Sequence, residues 1–164
     1  MALLPDRFGA VGALSGLPFA VIAAVAARRQ WHLPSAARVA ATHGAVSGMA
    51  WPAFPGLLEQ SFRRDGYTVQ PGGSAAADFS LERQGRRVLV CARRWKSARI
   101  GLEPLRALQS ARDATGAPEA LYIGLGELTD TARSFAAEQR IDVWHLAELA
   151  HALRGLPLEP AAAR

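Results

Sequence analysis

Cys91, the only cysteine of the chain, opens a run of positive charge: Cys91, Ala92, Arg93, Arg94, Trp95, Lys96 and, three residues on, Arg99. A carboxylate sits upstream at Asp78. These types have distinct chemistry: a carboxylate accepts cations and N–H donors, a thiol acts only as its thiolate, and a guanidinium grips phosphate or carboxylate with a planar fork of donors. Whether they can act together depends on how the chain between them folds. DFSLER (78–83) and RRVLVCA (86–92) alternate apolar residues around Gln84-Gly85, the pattern of a β-hairpin with a two-residue turn. Arg83 then pairs with Arg86, Phe79 with Val90, and Asp78 with Cys91. Phe79, Leu81, Val88 and Val90 form the core face; Asp78, Ser80 and Glu82 share the other with Cys91, Leu89 and Arg87. Arg93 lies on that second side, so a carboxylate, a thiol and a guanidinium converge at one end of the hairpin.

The elements around this hairpin follow from periodicity. Phe54, Leu57, Leu58, Ser61 and Phe62 recur at helical spacing, and Gly66 closes that helix after Asp65. YTVQ (67–70) predicts a strand and PGGS a turn. Beyond the hairpin, LEPLRALQSARDAT (102–115) is an amphipathic helix and EALYIGL (119–125) an apolar strand. TDTARSFAAEQR (129–140) is a helix capped by Thr129, IDVW (141–144) a strand and LAELAHAL (146–153) a last helix. This order predicts an α/β fold, a mixed sheet flanked by helices.

At 164 residues and 50% hydrophobic content, the chain can bury one ordinary core. Its net charge of +5 points to an anionic partner, and the excess is local: nine basic residues lie between Arg83 and Arg112 against Glu103 alone. One cysteine excludes both an internal disulfide and a thiolate zinc cluster, which suits a reducing compartment. Phe8 to Ala27 carry no charge over 20 positions, long enough for a transmembrane helix, although Ala, Gly and Pro18 dilute the signal and leave a buried helix or a leader as alternatives. As a span, followed by Arg28, Arg29 and Arg38, it would place the rest of the chain in the cytoplasm, tethered to the inner membrane. Residues 1–33 thus read as an N-terminal segment holding the 8–27 span, 34–50 as a small-residue linker, 51–155 as the folded domain and 156–164 as a disordered tail.

Other features have plainer readings. GLGELT (124–129) resembles a phosphate-binding turn but lacks a third glycine, so a tight strand-to-helix turn accounts for it. His145 and His151 are not at the spacing of a zinc helix. Trp95 is either a stacking platform for bases or a core anchor, and the charges around it either a nucleic-acid surface or a solvated face. Cys91 fits a small half-buried residue better than a nucleophile, because no histidine accompanies it in the hairpin.

The helix beginning near Phe54, the segment DGYTV, the strand opening with Asp78, the strand running into RRWKSARIG and the LEPLRAL helix together resemble the Mrr-type restriction endonuclease domain, over roughly residues 51 to 153. The resemblance implies a PD-(D/E)xK nuclease fold, in which a strand-borne Asp and a Glu-x-Lys or Gln-x-Lys bind a divalent metal and direct water at a phosphodiester. Carried over, Asp78 matches the metal-binding Asp, Cys91 falls on the Glu/Gln position and Arg93 on the Lys; Glu59 could add an oxygen ligand from the first helix. The departures are chemical: Mg²⁺ prefers hard oxygen donors over a thiol, and arginine cannot surrender a proton.

Two functions follow. As an enzyme, the chain would be a membrane-tethered endodeoxyribonuclease in which Asp78 and Glu59 hold Mg²⁺, Arg93 replaces the lysine, and Arg87, Arg94, Trp95, Lys96 and Arg99 contact DNA; cutting both strands would call for a homodimer. As a catalytically silenced relative, it would bind DNA through the same basic residues without chemistry.

Overall fold

The computed structural model describes residues 34–158. Strands β2 (Ala77–Arg83) and β3 (Arg86–Cys91) form the expected hairpin. Gln84 and Gly85 both take positive φ, 53° and 75°, as a type I′ turn demands. Every pair in the ladder, from Arg83↔Arg86 to Phe79↔Val90, matches the register derived from the two-residue turn.

Strand β1 (Thr68–Ser74) pairs antiparallel with β2. The expected PGGS turn is instead part of β1: the strand continues with a register shift between Pro71 and Ser74, and the reversal falls at Ala75-Ala76. Gly72 permits this because a Cβ there would lie 2.0 Å from the Ala77 carbonyl oxygen. After a short strand β4 (Arg99–Ile100), helix α3 (Leu102–Thr115) carries the chain to β5 (Glu119–Ile123), which runs parallel to β3. Gly116, left-handed at φ 66°, ends that helix. A second short strand, β6 (Glu127–Leu128), pairs with β4, and Gly126 brings the two together, since a Cβ there would meet the Ser97 carbonyl at 2.0 Å. The GLGELT segment is thus a close backbone approach. Helix α4 (Asp130–Glu138) starts at Thr129, whose hydroxyl accepts from the Ala132 N–H, and β7 (Ile141–Trp144) completes a sheet of order β1-β2-β3-β5-β7. Helix α5 (Leu146–Ala152) follows, with Glu148 accepting from the His145 N–H at 3.0 Å.

The central strands are buried on both faces; of the second hairpin side Leu89 and Cys91 are core, while Ser80 is half-buried and Glu82 and Arg87 are exposed. On one face Phe54, Leu58 and Phe62 of α2 (Ala53–Arg64) pack with Phe79, Val90 and Leu149. On the other, Leu89, Cys91 and Tyr122 pack with Leu105, Leu108 and Ala132. Strand β3 therefore feeds both cores, with Val90 on one face and Leu89 and Cys91 on the other, as expected of a central strand beside a parallel neighbour.

The expected linker is a helix, α1 (Ala36–Gly48), whose N-cap Ser35 accepts from the Arg38 N–H. Val46 and Met49 bury completely or nearly so, at 0% and 4% exposure, and Trp95 donates its indole N–H to the Val46 carbonyl. The small residues of α1 hid it, because only Thr42 and Val46 within the helix are buried and no apolar stripe announces it. The expected tail begins as part of the fold, with Leu156 and Leu158 packed on the first core. The 8–27 span candidate lies outside the described residues; among those described, no helix is long and apolar enough to cross a membrane.

Candidate functional site

The site lies where β2 opens and β3 ends. The Asp78 side chain is only 4% exposed, and both of its oxygens are engaged. Oδ2 accepts from the backbone N–H groups of Ala92, at 2.8 Å, and Arg93, at 2.9 Å. Oδ1 accepts from Arg93 Nε and lies 3.1 Å from its Nη2. The carboxylate thus closes the end of the hairpin, satisfying two amides where the ladder stops and answering its own charge with a guanidinium. Arg93 stays 57% exposed, with its Cζ 5.8 Å from the ring centre of Trp51.

Next comes a tight turn pinned by Trp95. This residue is 5% exposed, stacks on Phe54 at 4.6 Å between ring centres, and accepts at its carbonyl from the Leu125 N–H. Trp95 is therefore the core anchor of the two readings, and the expectation that it contacts DNA is corrected: it is buried, stacked on Phe54 and packed beside Trp51. By burying its centre, the turn displays Arg94 and Lys96 on either side, both exposed. Lys96 Nζ sits 5.1 Å from the Trp95 ring centre. Arg99 is exposed on β4, opposite Glu127. Beside the turn, an open cleft of about 440 Å³ is lined by His43, Ser47, Lys96, Ser97, Leu125 and Glu127 among others.

Cys91 is buried next to Tyr122, its partner in the parallel ladder. Burial, and then the charge of Asp78, pushes its thiol up to about 11, so it is neutral at physiological pH and supplies neither a thiolate ligand nor a nucleophile. Burial likewise pushes Tyr122 up to about 12, with Cys91 adding to the rise. Glu59 on α2 pairs with Arg63 one turn away. Arg87 is exposed near the tip of the hairpin, about 13 Å along the strand from Cys91. The structure thus gathers Asp78, Cys91 and Arg93 with the Arg94 and Lys96 turn, and leaves Arg87 at the far end of the hairpin. Trp51 and Tyr122 join the site without a signal in the sequence: one precedes α2 and the other arrives by a long crossover.

This donor set does not fit Mg²⁺. Among the described residues no three His, Cys, Asp or Glu side chains gather as a metal site, the Asp78 oxygens are already engaged by three hydrogen bonds and the Arg93 Nη2 ion pair, and the nearby Cys91 is a neutral thiol.

A five-stranded mixed sheet between helices, with an aspartate at the mouth of a central hairpin and basic residues just past the next strand, defines a restriction-endonuclease-like nuclease fold. A family model described as "Restriction endonuclease" (Mrr_cat) matches residues 46–153, and the chain belongs to that family. The match reaches back into α1, in accord with the packing of Val46 and Met49. Among solved structures, the MspJI restriction endonuclease in complex with a 27-mer oligonucleotide is similar at 18% identity and a TM-score of 0.49, covering 74% of this chain and 32% of that one. A crystallised protein of unknown function, AF1548, is similar at 13% identity and a TM-score of 0.42, covering 53% of this chain and 56% of that one. The chain thus spans about half or less of the structures it resembles. No curated protein matches it.

Proposed function

We propose that this chain is a nuclease-fold protein that has exchanged phosphodiester hydrolysis for DNA binding. The observation that carries this reading is the state of Asp78: the one carboxylate in the metal-binding position of the family motif is buried under two amides and a guanidinium. The residue facing it is a neutral thiol, and Arg93, where the motif has lysine, cannot give up a proton. Phosphate binding needs none of the lost chemistry. Arg94, Lys96 and Arg99 are exposed around one turn, and among the described residues none of them forms an ion pair. Cations so placed release counterions from a duplex and bind it in a salt-dependent way. The uncharged stretch 8–27, followed by Arg28 and Arg29, supports tethering at a membrane with the domain on the cytoplasmic side.

Nicking of supercoiled plasmid by the full chain, with Mg²⁺ or Mn²⁺, tests the exchange. We expect the parent to retain the plasmid in a gel shift and leave it uncut, and a Cys91→Gln, Arg93→Lys variant to gain nicking. Metal-dependent nicking by the parent, abolished by Asp78→Ala, would instead establish an active endonuclease.

A further inference from the structure

We propose that the Asp78–Arg93 pair is a built anion site: Arg93 contacts the oxygens of a duplex phosphodiester directly, and Asp78 is its positioning residue. The proposal rests on the DNA-binding reading and specifies how that binding is made at the remnant of the nuclease centre.

A metal-binding carboxylate turns oxygens toward a cation. Here the polarity is reversed. Three hydrogen bonds and the Nη2 ion pair leave the Asp78 oxygens facing protein, at 4% exposure, while the group presented to solvent is a guanidinium that keeps 57% of its side chain exposed. Arginine carries five N–H donors; Nε donates to Oδ1 and Nη2 lies 3.1 Å from the same oxygen as an ion pair, which leaves the Nη1 pair for a ligand. The side chain is fixed from two directions. Asp78 holds its fork, and the Trp51 ring lies 5.8 Å from its Cζ. A long arginine ordinarily loses rotamer freedom when it grips a phosphate; one already held loses less, so its contact is stronger than that of a free surface arginine. Arg94, the next residue and itself exposed, extends the donor surface. A non-bridging phosphate oxygen matches this donor set by charge and by the geometry of the fork.

The consequence runs against simple electrostatics. Removing a negative charge from a DNA-binding face should tighten binding. If Asp78 positions Arg93, removing that charge weakens it.

The test is fluorescence anisotropy of the full chain with a labelled duplex in EDTA, over a salt series, with inorganic phosphate at matched ionic strength as competitor. Asp78→Asn keeps an acceptor for the Ala92 and Arg93 amides but no longer holds the guanidinium as an ion pair. We expect it to weaken binding roughly three- to tenfold with little change in salt slope. Arg93→Gln should weaken binding about tenfold and lower the salt slope by about one. In the double variant, the Asp78 substitution should add nothing. Arg93→Lys keeps the charge without the fork and should lose affinity as Asp78→Asn does, which tests the idea independently of any effect of Asp78 on folding. Competition by inorganic phosphate as effective as by unlabelled duplex would overturn the assignment to a duplex phosphodiester. Binding by Asp78→Asn as tight as the parent's or tighter, or an unchanged Arg93→Lys, would overturn the positioning role while leaving DNA binding intact. A parent that does not bind the duplex would overturn both.

Discussion

The two ends of the β2–β3 hairpin are rich in arginine, and they use it differently. At the tip, Arg83 donates to the Asp65 carbonyl at 3.0 Å and lies 4.8 Å from the Tyr67 ring centre, while Arg86 pairs with Glu119 on the neighbouring strand. These arginines staple the hairpin to the end of α2 and to β5. At the open end, among the described residues, the acidic partner is Asp78, whose side chain is buried; Arg93 covers it and stays exposed, and Arg94 and Lys96 flank a buried tryptophan. Charge density along the sequence therefore overstates the site. Arg112 is absorbed in the same way as the tip residues, donating to the Gln139 carbonyl at 2.6 Å. What separates the two ends is that Arg94 and Lys96 serve no carbonyl or carboxylate among the described residues, while the acid that Arg93 serves is buried beneath it and leaves the guanidinium side chain 57% exposed.

The sharpest way to break this contrast is to remove what shapes the open end. Trp95→Ala should cost about 3–5 kcal/mol in urea unfolding, because it leaves a cavity against Phe54 and releases the turn. Arg87→Ala, an exposed change near the tip, should stay within about 0.5 kcal/mol. An effect smaller than that of Trp95→Ala comes from the layer beneath the site. The native thiol of Cys91 is raised from 9.0 to about 11, so the folded state keeps a proton that the unfolded chain has released. Stability should be unaffected by this group below about pH 9 and fall by on the order of 2 kcal/mol as pH rises toward 11. Tyr122 extends the decline toward pH 12. Urea midpoints from pH 8 to 11 should show the slope in the parent and a flatter profile in Cys91→Ala. The smallest effect sharpens the comparison itself: Arg94→Ala should weaken duplex binding by about fivefold, and Arg87→Ala by less than about twofold. Equal losses at both positions would make the whole hairpin one diffuse basic surface.

The parts legible in the sequence are those fixed by local rules. Gln84-Gly85 and the period-two alternation set the hairpin register, and with it the meeting of Asp78, Cys91 and Arg93, with no knowledge of the rest of the fold. Helix α3 was legible from its apolar spacing, with Gly116 just past its end, and α4 from Thr129 at its start. Helix α1 was not, because its few buried contacts make it helical by packing rather than by pattern. PGGS misled because proline and glycine mark bulges as well as turns. Trp95 could not be assigned from sequence at all: Phe54, which covers it, lies 41 residues away and reaches it only through the tertiary fold. Tyr122 and Trp51 were invisible for the same reason.

Asp78 serves a guanidinium instead of a metal. Calorimetric titration of the full chain with Mn²⁺, beside Asp78→Ala and Arg93→Ala, tests it most directly. We expect no Asp78-dependent Mn²⁺ uptake in the parent, with identical heats from parent and Asp78→Ala. Saturable Mn²⁺ binding by the parent that disappears in Asp78→Ala, and that Arg93→Ala leaves unchanged, would contradict it.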